Sequence, residues 1–381
     1  MKTYLFCLGI LIAAIGTSHG QPGSEENPQE PPPGFWQIPK TQFIFKVGGY
    51  VKLDVIHDFD PIGSPDFFNV WEIPTDGSKG ETTHLNVKET RLLFDTRHPS
   101  RFGELRVYLE SDFYGTNGAF RIRHAFLEIG GRLLAGQYWS NFMDPSIIPG
   151  TLDFEKPAAY AFVRHPMIRW KQPFGENLHL SLAIEEPSSK GIAPMKAGKF
   201  ESPLPDFTAA LRYESGWGHV QLSGFAGTIR YRFDTGGNAN YFLAGGNLSG
   251  QLNFWEKDKF TYQMLYGPGT NRYRGGNSVA PATDSTLQAI TDLAFTLGYT
   301  HFWIPELSSL AVFNHGIIEN TPAEDAGNPH TANYFAVNLL WHYIEGGFIG
   351  LEYLRGHLED FSGATGTANR LQLSFRYSFN L

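Results

Sequence analysis

The sequence predicts an all-β chain: a transmembrane antiparallel β-barrel of about 16 strands with short periplasmic turns and long extracellular loops. Three observations lead there. Residues 370–379 alternate strictly. Leu371, Leu373, Phe375, Tyr377 and Phe379 share one parity, and Arg370, Gln372, Ser374, Arg376 and Ser378 take the other. A period of two gives one apolar and one polar face, which lipid and a water-filled lumen can take. From Lys46 onward about sixteen segments repeat the pattern, each bounded by Gly, Pro, Asn or Asp clusters. The chain also opens as an exported protein does.

At the N-terminus Lys2 precedes an apolar run over residues 4–15 and the small residues Ser18 and Gly20. These are the three regions of a secretory signal peptide, so residues 1–20 are expected to be removed. The run is too short for a transmembrane anchor. Cys7, the single cysteine, lies inside it, so neither a thiol, a disulfide nor a cysteine metal site is expected in the mature chain. Residues 21–45 form an acidic, proline-rich periplasmic lead that can bury little. The barrel is assigned to residues 46–381.

Mean hydropathy is -0.25, which a hydropathy scan reads as soluble, but a barrel exposes only alternate residues to lipid. Aromatic residues make up 15% of the chain, and it has 42 glycines. The formal net charge of -8 argues against a nucleic-acid partner.

The clearest strand segments are 46–58, 85–97, 102–114, 119–130, 163–172, 176–186, 206–215, 217–229, 241–254, 258–267, 287–302, 332–345, 347–356 and the terminal one, joined by 131–139 and 308–319. Tight turns at 214–218 and 345–347 alternate with long loops at 59–84, 140–162, 187–205, 230–240, 268–286 and 320–331. Aromatic residues recur at segment ends (Trp71, Trp170, Phe254, Trp255, Tyr299, Trp303, Trp341, Tyr343), as membrane-interface girdles require. The other all-β reading is a soluble sandwich or β-helix, whose polar faces would meet bulk solvent.

Parity assigns the faces. Val47, Val51, Leu53 and Val55 oppose Lys46, Tyr50, Lys52, Asp54 and Asp58; Leu92 and Phe94 oppose Glu89, Arg91, Asp95 and Arg97. Leu105, Val107 and Leu109 oppose Glu104, Arg106, Tyr108, Glu110 and Asp112. Phe120, Ile122 and Phe126 oppose Arg121 and Arg123, and Ile168 and Trp170 oppose Arg169 and Lys171. An Arg or Lys facing lipid at mid-bilayer costs roughly 2–4 kcal/mol, so the charged set must point inward. The predicted pore lining is therefore Lys52, Arg91, Arg97, Arg106, Arg121, Arg123, Arg169 and Lys171, interleaved with Asp54, Glu104 and Glu110. Two readings stay open: cross-strand ion pairs that stiffen the wall, or a basic ladder that draws anionic solutes. Later strands offer uncharged inward residues (Gln221, Ser223, Asn247, Ser249, Gln251, Asn253, Thr296, Thr300), so the wall is electrically asymmetric.

Residues 140–162 are expected to fold into the pore as a constriction loop, with prolines limiting their motion. Trp139, Asn141, Asp144, Asp153 and Glu155 are the candidate residues there, the acids standing opposite the arginines. An ordinary surface loop is the alternative.

Four pieces of sequence occur in order: Gly49-Tyr-Val-Lys-Leu-Asp-Val-Ile-His-Asp-Phe-Asp; Arg121-Ile-Arg-His-Ala-Phe; Leu134-Ala-Gly-Gln-Tyr-Trp-Ser-Asn-Phe-Met-Asp, followed by Thr151-Leu-Asp-Phe; and Val163-Arg-His-Pro-Met-Ile-Arg-Trp. Together they resemble the DcaP-like family of Gram-negative outer-membrane porins over residues 45–381. The resemblance implies a homotrimer of sixteen-stranded barrels in the outer membrane that takes up small anionic solutes such as dicarboxylates. The chain departs from the family in its short proline-rich lead, where members can carry a coiled-coil stalk, and in ending on Leu381 rather than an aromatic residue.

Competing functions are a surface adhesin or receptor barrel and an outer-membrane barrel hydrolase. His301 and His315 invite the second, but no serine and orienting acid accompany them at a triad's spacing. His165, His179, His315 and His342 are scattered rather than grouped as metal ligands. No enzyme activity, metal or cofactor is expected. The partners are outer-membrane lipid and small anionic solutes.

Overall fold

The computed structural model describes residues 31–255 and 257–380. The predicted signal peptide, the first ten residues of the lead and Leu381 lie outside the described residues. Sixteen strands form the wall. They are β1 (Ile44–Asp58), β2 in two pieces (Thr82–Asn86 and Arg91–Ser100), β3 (Gly103–Asp112), β4 (Arg121–Ile129), β5 (Leu133–Trp139), β6 (Arg164–Phe174), β7 (Leu178–Glu185) and β8 (Asp206–Ser215). The second half is β9 (Gly218–Phe233), β10 (Asn238–Phe254), β11 (Asp258–Pro268), β12 (Thr291–Ile304), β13 (Leu307–Ile318), β14 (Pro329–Ile344), β15 (Gly347–Asp360) and β16 (Thr365–Asn380). Each pairs antiparallel with its sequence neighbours. β16 returns to β1, from Gly48 opposite Asn380 to Asp58 opposite Arg370, and this pairing leaves no open edge.

Connections alternate as a barrel requires. One end carries tight turns such as 101–102, 216–217, 305–306 and 345–346, and the other carries 59–81, 140–163, 186–205 and 269–290. Two expected boundaries move. The predicted loop 230–240 is a four-residue turn at 234–237, because β9 and β10 run on past the bilayer. β1 starts at Ile44, and a short strand Trp36–Gln37 folds back on it, so the end of the expected lead joins the sheet.

Parity places the faces as expected along β1, β2 and β3: Val51, Leu92, Phe94, Val107 and Leu109 are exposed, while Lys52, Asp54, Asp95 and Asp112 are buried inside. β4 departs. The register shifts between Glu110 and Ser111, whose partners are His124 and Ile122. Arg123 is thus an extra residue, a β-bulge, and parity inverts after it. Phe126, expected to face lipid, instead stacks on Tyr108 with ring centroids 5.3 Å apart, and Leu127 takes the outer face.

Glycine is required at one crossing. Gly49 has φ +146, and a Cβ there would lie 2.1 Å from the Arg91 carbonyl oxygen, which no side chain could survive.

The apolar core sits inside the barrel. Phe142, Met143, Ala159 and Ala161 pack with Phe225, Ile229, Leu243, Leu265 and Tyr273. Phe68, Val70 and Ile73 pack on Leu310, Val312, Tyr334 and Leu354. Segments 59–81 and 269–290 therefore fold inward along with 140–162. Trp71 goes with them: its indole donates to the Ala158 carbonyl at 2.5 Å and lies 5.2 Å from the Arg274 guanidinium. It is not the girdle residue its sequence position suggested. Trp170, Trp255, Trp303, Trp341 and Tyr377 are exposed at the short-turn end, where a girdle belongs.

Candidate functional site

The inner wall of β1 to β4 is built from alternating charges, and the structure resolves which of them are spent. Lys52 reaches Glu89 at 2.5 Å and Asp54 at 3.3 Å. Arg91 meets Glu110 at 3.4 Å, Arg97 meets Asp95 at 3.2 Å and Glu104 at 3.8 Å, and Arg106 meets Asp95 at 2.8 Å. Arg121 lies 2.7 Å from Asp112; Arg123, buried, lies 2.8 Å from both Glu110 and Asp112. Fork-shaped guanidinium groups between carboxylates of neighbouring strands form a stiff, locally neutral belt.

Arg169 and Lys171 stand apart. Among the described residues neither has an ion-pair partner; Arg169 stacks on the Tyr138 ring at 5.0 Å. Arg164, not among the predicted lining residues, is also without a carboxylate. It stacks on Trp139 at 4.6 Å and leaves Nη1 buried with no hydrogen-bond partner. Arg376, at the short-turn end, rests over Tyr50 at 4.5 Å. Charge and parity alone could not separate these from the paired set, because pairing depends on cross-strand register.

Residues 140–162 run through the barrel interior, and uncharged inward side chains of the second half hold them there. Ser223 and Asn247 donate to the Phe142 carbonyl at 2.5 and 2.9 Å, and Gln221 to that of Met143 at 3.1 Å. Gln263 accepts from the Ala161 amide and Asn314 from that of Ala159, both at 2.9 Å. Asn338 donates to the Gly150 carbonyl at 3.0 Å, and Glu352 accepts from the Leu152 and Asp153 amides at 2.8 and 2.9 Å. A loop buried in a barrel must have its backbone groups satisfied, and these amide and hydroxyl side chains, with the Glu352 carboxyl, do it. That is the physical sense of the charge-poor half of the wall. Its signal in the sequence was the run of inward Gln, Ser and Asn, of which Gln263, Asn314 and Asn338 went unread, as did the carboxyl of Glu352.

Asp144 and Asp153 have basic partners outside the β1 to β4 belt. Asp144 accepts from His219 at 2.7 Å and Arg212 at 2.9 Å, across the lumen from the arginine belt. Burial works against its ionisation, yet the His219 hydrogen bond and the Arg212 charge win and hold its pKa down to about 2. Asp153 is bound by Arg370 at 2.7 Å and accepts from the Phe68 amide at 3.1 Å. Phe154, not an acid, covers the arginines: its ring lies 5.3 Å from the Arg121 guanidinium and 5.4 Å from that of Arg123. Trp139 is buried between Arg164 and His124, and Asn141 ties its amide to Glu185 at 2.7 Å. Glu155 is the one loop acid without such a partner. Burial, and then the neighbouring Asp153 charge, push its pKa up to about 7. Burial also lowers the pKa of Lys156 beside it.

Two cavities flank this arrangement. One, of about 520 Å³, is bounded by Lys52, Glu89, Thr151, His342, Glu345 and Arg376 at the short-turn end. The other, of about 350 Å³, lies at the long-loop end and is lined by Phe162, Arg164, His165, Ser188, Lys190 and Arg272 among others, with no carboxylate in its lining.

With this geometry in hand, comparison with solved structures gives the same fold. The outer membrane channel DcaP of Acinetobacter baumannii superposes with a TM-score of 0.79 at 21% identity, covering 90% of this chain and 99% of that one. OmpT of Vibrio cholerae gives 0.56 at 9% identity, covering 90% and 99%. An anion-selective porin from Comamonas acidovorans gives 0.57 at 10%, covering 88% and 100%. No curated protein matched in sequence. The family model described as DcaP outer membrane protein matches residues 36–379, nearly the whole barrel, and on that match this outer-membrane channel belongs to the DcaP outer membrane protein family.

Proposed function

We propose that the chain is a passive diffusion channel for small hydrophilic solutes with a preference for anions, dicarboxylates among them, and that it performs no chemical step. The observation that carries this is the 350 Å³ cavity at the long-loop end, where Arg164 and Lys190 stand without a carboxylate partner among the described residues, Arg272 being paired with Asp206 at 2.7 Å. A carboxylate entering there would meet positive charge from Arg164 and Lys190 that no lining acid offsets. Arg169 and Lys171, on the inward parity of β6, add positive charge without an ion-pair partner among the described residues toward the periplasmic turn, so the local field there favours anions.

In this reading the paired arginines are the structural belt and residues 140–162 are the constriction. Residues 1–20 are the export signal, and 21–45 a periplasmic lead whose short strand Trp36–Gln37 pairs with the start of β1. The anion-selective porin from Comamonas acidovorans shares the fold, and OmpT of Vibrio cholerae has been solved in a trimer form; a homotrimer in outer-membrane lipid is the assembly proposed here.

The hydrolase reading gains an acid, since Asp258 lies 2.6 Å from His301 Nδ1. Among the described residues no serine hydroxyl is hydrogen-bonded to His301; Ser309, opposite it across β12 and β13, accepts from the Trp303 indole at 3.1 Å. Display of loops, the adhesin reading, is disfavoured because three long loops fold inward. Reversal potentials across planar bilayers under a salt gradient test the proposal. Anion preference, with currents blocked by dicarboxylates more than by monocarboxylates, is expected; a neutral or cation-preferring pore would overturn it.

A further inference from the structure

Two arginines of β9 point out of the barrel. Phe225, Gly227, Ile229 and Tyr231 are buried inside, so the alternate residues Ala226, Thr228, Arg230 and Arg232 face outward. Below the arginines the outer surface is apolar: Leu222, Phe207 opposite Ala226, and Phe242 opposite Thr228 are all exposed. At the short-turn end of the same column Tyr213 stacks on Trp217, with centroids 6.4 Å apart. From Trp217 to Thr228 a tilted strand climbs about 25 Å, the height of a barrel's apolar band. Arg230 and Arg232 therefore stand just above the hydrocarbon, among the headgroups of the extracellular leaflet.

They are not alone there. The short strand Gly198–Glu201 pairs with β9 so that Lys199 lies opposite Arg232 and Glu201 opposite Arg230. Glu201 is shared by Arg232 at 2.7 Å and Lys199 at 3.4 Å. Among the described residues the Arg230 side chain has only the neutral Asn240 side chain, at 2.8 Å. Two of the three cations thus share one carboxylate, and the third stands beside them without one. The loops above add Lys196, Asp234 and Asp284, whose backbone carbonyl accepts from the Lys196 amide at 3.1 Å, and an excess of one cation remains. Asn238 and Asn240 on β10 complete a rim of hydrogen-bond donors beside Phe242.

We propose that this patch is a binding site for the phosphorylated glycolipid of the outer leaflet, with Lys199, Arg230 and Arg232 gripping a lipid A phosphate while Phe242, Phe207 and Leu222 pack its acyl chains. The chemistry is that of basic clusters at membrane interfaces, where each cation adds to the attraction for an anionic headgroup. A guanidinium adds paired donors that suit phosphate. The apolar column continuous with the cations favours an anchored lipid over free phosphate. The site is separate from the solute path, being on the opposite face of the wall, and does not rest on the proposed anion preference.

The test uses the full chain in neutral detergent, titrated with bisphosphorylated lipid A or with chemically dephosphorylated lipid A, bound lipid being counted by native mass spectrometry. The expected result is that removing the phosphates weakens binding by roughly a hundredfold. The variant carrying Lys199→Gln, Arg230→Gln and Arg232→Gln should bind both lipids equally weakly while keeping its conductance. Lys257→Gln with Lys259→Gln, at the opposite end of the barrel, should leave binding unchanged. If the triple variant fails to fold, Arg230→Gln and Arg232→Gln alone are each expected to weaken lipid A binding about fivefold. Equal affinity for the two lipids, full binding by the variants, equal loss in the Lys257 and Lys259 control, or displacement of lipid A by equimolar inorganic phosphate would each overturn the proposal.

Discussion

Arg370 Nη1 lies 2.7 Å from the Asp153 carboxylate, joining the last strand of the wall to the loop that crosses the lumen. The same guanidinium takes Asp58 of β1 at 2.6 Å. One buried side chain therefore closes the barrel seam and pins the inward loop, so closure of the wall and seating of the loop are coupled.

Arg370→Ala would leave Asp58 and Asp153 buried without their cation. Breaking a buried pair in this way costs about 3–5 kcal/mol, so the variant should unfold at markedly lower urea in refolding titrations. Arg370→Lys keeps the charge but loses the fork and should fall between. If the alanine variant matches the parent protein in stability, the clamp assignment is wrong.

Ser223→Ala with Asn247→Ala strips both side-chain donors from the Phe142 carbonyl. An unsatisfied buried carbonyl costs about 1–3 kcal/mol, drawn from seating the loop rather than from the wall pairing. Single-channel records should show an intact barrel with more frequent sublevel transitions, and protease should nick the chain between 140 and 162. Quiet channels and an uncut loop would argue that the apolar packing of Phe142 suffices.

Charge reversal separates the two kinds of inward arginine. Arg169→Glu, where no ion pair exists, should reduce the anion-to-cation permeability ratio severalfold with little change in stability. Arg123→Glu puts a third acid beside Glu110 and Asp112 and should chiefly lower the yield of folded barrel. Should Arg169→Glu leave selectivity untouched, bare positive charge on β6 does not set it.

Glu155 makes selectivity depend on pH. With its pKa raised from 4.5 to about 7, the carboxyl is largely neutral at lower pH and ionised above. Anion preference should rise as pH falls through about 7, and Glu155→Gln should remove that step. The sign for stability follows. The folded state holds this proton more tightly than the unfolded chain, so stability falls as pH rises between 4.5 and about 7 and levels off above. A pH-independent reversal potential would exclude Glu155 from the conducting path.

Much of the molecule was legible in the chain. Alternation in residues 370–379 gave a strand, and sixteen such segments with alternating short and long connections gave a closed barrel. Local parity put Lys52, Arg91, Arg106 and Arg121 inside, because a lipid-facing cation at mid-bilayer is costly. These are properties of a residue and its near neighbours, and a period of two records them. Partnership between distant residues is not recorded there. Only the folded barrel showed that Arg123 occupies a bulge and turns Phe126 inward, that Asp144 serves His219 and Arg212, and that the Trp71 indole turns in to the Ala158 carbonyl. It also showed Arg164 and Arg169 left bare while their neighbours were neutralised. Cross-strand register and the path of an inward loop bring together groups many residues apart, and no local pattern specifies which charges meet.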